Sequence, residues 1–203
     1  FKGNKVDLIE GTARFTGANE LTVGDRTITF EKAIVATGSS PIEIPGFEPD
    51  GERIVDSTGA LDLNAVPERF MAIGGGAIGL EFAEIYHGFG SQTTVVELME
   101  QIVPGSDPDA AKALRKSFEK RGITIKTGTK AVAVEKSETG LAVTLEGVEG
   151  AQEKVTVDKL LVAVGRRPNG HGLGLEEIGV EVDSRGFVPV DAHMRTSLPH
   201  VYA

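Results

Sequence analysis

Residues 69–83 read Arg69-Phe70-Met71-Ala72-Ile73-Gly74-Gly75-Gly76-Ala77-Ile78-Gly79-Leu80-Glu81-Phe82-Ala83. Phe70 to Ile73 is an apolar run, too short for a helix and bounded by glycine, which reads as a buried parallel strand. From Ile78 onward apolar residues recur at helical intervals through Phe82, Ile85 and Phe89. Between the two, Gly74, Gly76 and Gly79 fall at G-x-G-x-x-G spacing. The stretch is expected to fold as strand, tight turn and helix.

Each glycine has a separate physical task in that reading. Gly74 permits the sharp turn, Gly76 lets a pyrophosphate approach the backbone, and Gly79 lets the helix pack close to the strand. The free N–H groups of the helix start then face the phosphates. A second strand, Gln92 to Val96, ends in Glu97, which follows Gly79 by 18 residues. A carboxylate at that place can accept both hydroxyls of an adenosine ribose and would repel a 2′-phosphate. Glu100 adds to the repulsion and no arginine follows closely, so NAD is favoured over NADP. The plainer alternative is a strand–helix turn that is merely rich in glycine; the acid at the end of the second strand argues against it.

Working outward, residues 5–36 read as short strands separated by turns: Val6 to Glu10, Ala13 to Phe15, Glu20 to Val23, Arg26 to Phe30 and Lys32 to Ala36. The last of these leads into Thr37-Gly38-Ser39-Ser40-Pro41, a loop of small residues where a ligand or another backbone could come close. Pro41 to Gly51 reads as a linker, with Asp56 capping a short helix ahead of Ala60 and Leu61. After Glu97, Asp107 and Pro108 start a helix with Ala111, Leu114 and Phe118 on one face and Gly122 at its end, and Ile123 to Lys126 forms a third strand. Residues 131–157 read as an antiparallel meander. Lys159 to Ala163 returns as an apolar strand, and the alternation at Val180 to Val182 and Val188 to Val190 predicts two more. The fold class is α/β: a Rossmann-like nucleotide-binding domain, with a parallel sheet plus the antiparallel meander, flanked by mainly β pieces.

Composition narrows the function classes. The 203 residues carry a formal charge of −9, spread along the chain, which argues against a nucleic-acid partner or an anionic membrane surface. No apolar run approaches the length that spans a bilayer, and no signal-peptide pattern is visible. With no cysteine in the chain, a disulfide scaffold, a thiolate metal site and a dithiol redox centre are all excluded here. His87, His171, His193 and His200 show no ligand spacing, so no metal site is expected. Absence of cysteine and of a signal is compatible with a cytoplasmic setting. The opening on Phe1 and the strand-like Val201-Tyr202-Ala203 at the close read as an internal fragment.

The glycine turn, Glu97, Ala36-Thr37-Gly38 ahead of them and Gly165-Arg166-Arg167-Pro168 behind them occur in one order. In that order the chain resembles the flavin-dependent pyridine-nucleotide disulfide oxidoreductases. Within that family it is most similar to the dihydrolipoyl dehydrogenase branch, through Gly11-Thr12-Ala13-Arg14-Phe15, Val55-Asp56-Ser57-Thr58, Ile73 to Glu81 and Gly179-Val180-Glu181-Val182-Asp183-Ser184-Arg185-Gly186-Phe187. The resemblance implies residues 1–50 and 169–203 as pieces of an FAD-binding domain, with residues 51–168 as the NAD-binding domain. It implies Gly74, Gly75, Gly76, Ala77, Ile78 and Gly79 at the NAD pyrophosphate, Glu97 at the adenosine ribose and Glu81 near the nicotinamide carboxamide. Ala131 and Gly165 would touch NAD through their backbones, and Thr37, Gly38, Ser39 and Ala13 would lie against FAD.

Family features not found in these residues are the flavin G-x-G-x-x-G, the redox C-x-x-x-x-C helix and the C-terminal His-Glu pair. A Gly-Asp pair would be expected immediately after Ala203. Ala77 stands where relatives often carry a larger residue, which leaves the nicotinamide gate undefined. Members of the branch oxidise protein-bound dihydrolipoamide and pass electrons through a disulfide and FAD to NAD, as homodimers serving 2-oxoacid dehydrogenase complexes. The expectation for this chain is NAD binding without turnover, with no catalytic residue of its own. Two alternatives stand beside it: a redox-inert NAD-binding regulatory module, and another reductase of the family such as a mercuric reductase or an NADH oxidase.

Overall fold

The computed structural model describes residues 2–203. Two compact units divide the chain, one formed by residues up to Ser40 together with Arg167–Ala203, the other by Pro41–Arg166.

The central unit is built on five parallel strands in the spatial order Ile54–Val55, Lys159–Val162, Arg69–Ile73, Gln92–Val96 and Thr124–Lys126. Parallel neighbours need crossover connections. Helix α1 (Ser57–Leu61) leads from the first strand towards Arg69, α2 (Ala77–Gly88) joins Arg69–Ile73 to Gln92–Val96, and α3 (Pro108–Arg121) joins Gln92–Val96 to Thr124–Lys126. The crossover from Thr124–Lys126 to Lys159–Val162 is not a helix. It is a three-stranded antiparallel meander, Lys130–Ser137, Gly140–Glu146 and Gln152–Val157.

Alternation along the strands makes three layers of this arrangement. Side chains two apart share a face, so Phe70 and Ala72 meet Phe82 and Tyr86 of α2, while Met71 and Ile73 meet Leu141, Val143, Leu145 and Val157 of the meander. A third cluster joins Leu80 and Ala83 of α2 to Val95, Phe118 of α3, Ile123 and Ile125. Phe70, Met71, Leu141, Leu160 and Leu161 are fully buried, each contributing about 1.5–3 kcal/mol relative to exposure.

The helices start where local chemistry places them. The Asp56 carboxylate accepts the Gly59 N–H at 2.8 Å, and Asp107 accepts from the N–H groups of Asp109 and Ala110 ahead of α3. That helix ends at Gly122, whose φ of 101° is left-handed, the expected C-terminal stop. The buried face of α2 is Gly79, Leu80, Phe82, Ala83 and Tyr86; Ile85 and Phe89, on the apolar periodicity of the sequence, remain exposed. Tyr86 stacks on Phe70 with ring centroids 4.4 Å apart, and its hydroxyl donates to the Ala60 carbonyl, which docks α1 on α2.

Two arginines hold the meander to the N-terminal edge of the sheet. Arg69 Nη2 donates to Asp158 Oδ1 at 2.5 Å and to the Thr139 carbonyl at 3.3 Å. Its backbone N–H donates to Asp158 Oδ2 at 2.8 Å. Arg53 Nη1 donates to the carbonyls of Ser137 and Gly140. Both guanidinium groups therefore grip the hairpin between the first two meander strands.

In the other unit, Ala13–Gly17, Glu20–Val23 and Arg26–Thr29 form an antiparallel meander, and Ala33–Ile34 pairs in parallel with Val201–Tyr202. Leu175, Val180 and Val201 centre its core, and Phe15 and Phe30, edge to face with each other, pack against it.

Three expectations from the sequence are corrected here. Val6 to Glu10 forms no strand; Val6 and Leu8 are exposed, so the alternation has no surface to bury. Val180 to Val182 and Val188 to Val190 form none either, because Asp183 takes the N–H groups of Arg185 and Phe187 into a side-chain-closed turn. Residues 41–50, read as a linker on the side of the first segment, pack into the central unit, where Phe47 is buried beside Ile54.

The mixed α/β class with a parallel sheet and antiparallel strands is the architecture found. Among the described residues no helix is long and apolar enough to cross a membrane.

Two stability predictions follow from these contacts. A Cβ added at Gly79 would lie 1.9 Å from the Gly74 carbonyl oxygen, so Gly79→Ala is expected to destabilise the chain by about 2–3 kcal/mol in urea unfolding. The Arg69 guanidinium holds the Asp158 carboxyl below its usual pKa. Its stabilisation is complete above pH about 4, the ordinary value of an unfolded aspartate, and is lost as the pH falls through the depressed native value. Asp158→Asn is expected to cost about 1–2 kcal/mol at neutral pH, with the deficit shrinking below pH about 4; an equal deficit at both would remove the ionic explanation.

Candidate dinucleotide-binding site

The C-terminal ends of three adjacent strands, Lys159–Val162, Arg69–Ile73 and Gln92–Val96, open into a cleft of about 540 Å³. Ligands of open parallel sheets bind outside such strand ends, where neighbouring connections part to opposite faces. Gly74 and Gly76 border the cleft from the first turn, Glu97 from the second strand end, and Ala163 to Gly165 from the third, with Ala131 on the meander side.

The glycines meet the physical requirements read from their spacing. Gly74 has φ 110°, and a Cβ there would sit 2.3 Å from the Ala163 carbonyl oxygen. Gly79 lies against Gly74 as described, bringing α2 onto the strand end. At Gly76 a Cβ would meet no protein atom within 4 Å, and the residue's φ is an ordinary −76°. Nothing inside the protein demands glycine at 76; only a group in the cleft would. Helix α2 begins there without a side-chain cap and without an acidic residue in its first turn, which leaves its N-terminal N–H groups and dipole for an anion.

Glu97 is buried, 8% exposed, and both of its oxygens are anchored. Oε2 accepts the Gly75 N–H at 2.6 Å and Oε1 accepts the Met99 N–H at 2.8 Å. A carboxylate has about four lone-pair sites, so acceptor capacity remains on each oxygen for two ribose hydroxyls. Gly75 is required by this contact, because a Cβ there would fall 2.9 Å from the Glu97 Cβ. The turn and the acid, 22 positions apart in sequence, are one hydrogen-bonded structure.

The remaining predicted residues distribute as follows. Ala77 is exposed at the helix start. Ile78 packs against the cluster around Phe70. Glu81 projects from the exposed face of α2, outside the set of residues lining the cleft. Sequence reasoning missed several cleft residues: Leu98 and Met99, exposed apolar side chains directly after Glu97, Pro104, and Lys130. Adjacency to Glu97 was a usable signal for the first two. Lys130 brings a cation to the cleft that Glu97 also lines.

In the other unit, Thr37, Gly38 and Ser40 close on Asn169, a residue the sequence did not single out. Thr37 Oγ1 donates to the Asn169 carbonyl at 2.9 Å, and Asn169 Nδ2 donates back to the Thr37 carbonyl at 3.1 Å. Ser40 Oγ donates to Asn169 Oδ1 at 2.8 Å. Gly38, at φ 67°, accepts the Asn169 N–H. Ser39 lies in the short strand Ser39–Pro41. Ala13 is exposed in the antiparallel meander, opposite Val23. No group of three or more His, Asp or Glu side chains able to hold a metal occurs among the described residues.

Comparison with known proteins shows the family of the chain. The family model described as pyridine nucleotide-disulphide oxidoreductase matches residues 1–203. A dihydrolipoyl dehydrogenase of Thermus scotoductus is 52% identical over 204 residues, covering 100% of this chain and 44% of that protein. A dihydrolipoyl dehydrogenase of Geobacillus stearothermophilus is 43% identical, with 43% of its length covered. The chain thus spans less than half the length of these curated relatives. Among solved structures, the HOCl-induced flavoprotein disulfide reductase RclA from Escherichia coli superposes with a TM-score of 0.82 at 32% identity, over 97% of this chain and 45% of that one. The glycine turn, the anchored acid and the match along the whole chain lead to one conclusion: this chain belongs to the pyridine nucleotide-disulphide oxidoreductase family.

Proposed function

We propose that the chain supplies the NAD-binding portion of a dihydrolipoyl dehydrogenase. The observation that carries this reading is the cleft at the sheet's C-terminal edge, where Gly76 leaves open space and Glu97 presents an anchored carboxylate. The residues suit a dinucleotide: the uncapped start of α2 and the glycine backbone meet a pyrophosphate, and Glu97 accepts ribose hydroxyls and repels a 2′-phosphate. Leu98 and Met99 offer apolar surface for the adenine. A nicotinamide dinucleotide held by these residues would supply a hydride acceptor.

The chain's own part is binding and orientation, not electron transfer, since it has no thiol. Ala131 and Gly165 border the cleft on the side away from α3 and would contact the cofactor through their backbones. The loop of Thr37, Gly38 and Ser39, held in shape by Asn169, would face FAD, as would Ala13. Glu81 near the nicotinamide and Ala77 as an open gate belong to the same proposal. Dihydrolipoamide as reductant is proposed for the longer protein on the strength of the relatives' names; homodimerisation and service to a 2-oxoacid dehydrogenase complex in the cytoplasm are proposed with it on the family resemblance alone. Those names favour the lipoamide branch over a mercuric reductase or an NADH oxidase.

Titration of the purified chain with NADH and NADPH, followed by nicotinamide fluorescence, tests the reading; the chain has no tryptophan to interfere. Saturable NADH binding with NADPH at least about tenfold weaker is expected, and no binding of either coenzyme would overturn the proposal. Gly76→Val fills only ligand space, so it is expected to keep the melting temperature within a few degrees while weakening NADH by more than about tenfold. Unchanged NADH affinity in that variant would place the pyrophosphate elsewhere. Lipoamide-dependent NADH formation by the isolated chain would contradict the absence of turnover.

A further inference from the structure

Val103 adopts φ 42°. Left-handed backbone is a genuine outlier for a β-branched residue, and Val103 also precedes Pro104, which favours extended conformations at the preceding position. Such strain persists only where its surroundings enforce it. The side chain packs against the cluster of Leu80, Ile102 and Phe118, and Pro104 lines the dinucleotide cleft. The backbone N–H of Val103 donates to the Gly75 carbonyl oxygen at 2.7 Å.

That bond reaches the centre of the glycine turn. Gly75 is held from both sides: its N–H donates to Glu97, and its carbonyl accepts from Val103. The Gly75 carbonyl and the Gly76 N–H belong to one planar trans peptide and point in opposite directions. Fixing the carbonyl towards Val103 fixes the direction of the Gly76 N–H at the edge of the cleft. The loop is itself tethered to the same acid, because the Met99 N–H donates to Glu97. An ordinary negative φ at Val103 would turn its N–H away and release the Gly75–Gly76 peptide.

Resting on the dinucleotide reading above, we propose that Val103 is a positioning residue for pyrophosphate, its left-handed backbone locking the Gly75–Gly76 peptide in the orientation that receives the ligand. It touches no ligand itself. It acts through Gly75, while the Glu97 carboxylate at the ribose end keeps its own donors, the Gly75 and Met99 N–H groups.

The test removes the donor alone. Replacing Val103 by its α-hydroxy analogue converts the Ile102–Val103 amide to an ester, deleting the N–H while keeping the side chain. NADH and adenosine, which lacks pyrophosphate, are then titrated against the ester and the unmodified chain. The expected result is about tenfold weaker NADH with adenosine weakened less than twofold. Val103→Gly, which keeps the donor and relieves the steric cost, is expected to weaken NADH less than the ester does. A merely structural role would lower the melting temperature of the ester while changing NADH and adenosine equally, or not at all, and would overturn the proposal. If the unmodified chain binds NADH and the ester binds it as well, Val103 has no positioning role and the dinucleotide site stands; if the unmodified chain fails to bind NADH, both fall.

Discussion

A carbonyl oxygen at Gly74 lies so close to Gly79 that no methyl group fits between them, and the central unit depends on that approach. It sets α2 directly against the end of the Arg69–Ile73 strand, so the helix dipole and its free N–H groups sit at the sheet's carboxyl edge and not out in solvent. The same approach brings Leu80 and Ala83 onto Val95, and Phe82 and Tyr86 onto Phe70, which closes two of the three core clusters of this unit. Widening the helix–strand spacing by a methyl would loosen packing on one face of the sheet and misplace the turn on its edge. Stability and ligand geometry are therefore not separable at Gly79, whereas at Gly76 they are.

The opposite face is covered by a different device. An antiparallel meander replaces the helix that usually carries a parallel crossover, and its inner residues Leu141, Val143 and Leu145 bury Met71 and Ile73. Sheet against sheet leaves backbone hairpins exposed at the edges, and here Arg53 and Arg69 satisfy the carbonyls of the first hairpin. Asp158 answers Arg69, so the charge is paired and not merely placed. The meander also supplies Ala131 to the cleft wall. The back layer thus brings one of its strands to the wall of the cleft at the sheet's carboxyl edge.

Glu97 connects these two descriptions. It ends one strand, its side chain reaches the glycine turn that follows another, and its backbone bonds to Lys126 and Thr129 on either side of the entry to the meander. A buried carboxylate without partners would be costly; the Gly75 and Met99 N–H groups supply one donor to each oxygen. The loop from Leu98 to Ser106 is drawn into the same network through Met99 and Val103. The carboxylate at one end of the cleft and the glycine turn at the other thus share one hydrogen-bonded network.

Most of the central unit was legible in the sequence because its signals are local. Gly74, Gly76 and Gly79 announce a strand–turn–helix by spacing, Asp107, Pro108 and Gly122 bracket α3 by capping chemistry, and the short runs between 131 and 157 alternate as a meander should. Val6 to Glu10, Val180 to Val182 and Val188 to Val190 show how far alternation carries: they have the period of strands, but a strand also needs a partner and a surface to bury, and neither is encoded within the segment itself. Residues 41–50 looked like a linker because Pro and Gly punctuate them, yet Phe47 finds a core that only folding assembles. Spacing and residue type alone determined the α/β class, the strand–glycine turn–helix and the acid that closes the next strand. Only tertiary structure decided that Glu97 binds Gly75, that Asn169 closes the loop of Thr37, and that Val103 reaches the turn from a distant loop, because hydrogen bonds between remote backbone groups leave no periodicity in the chain.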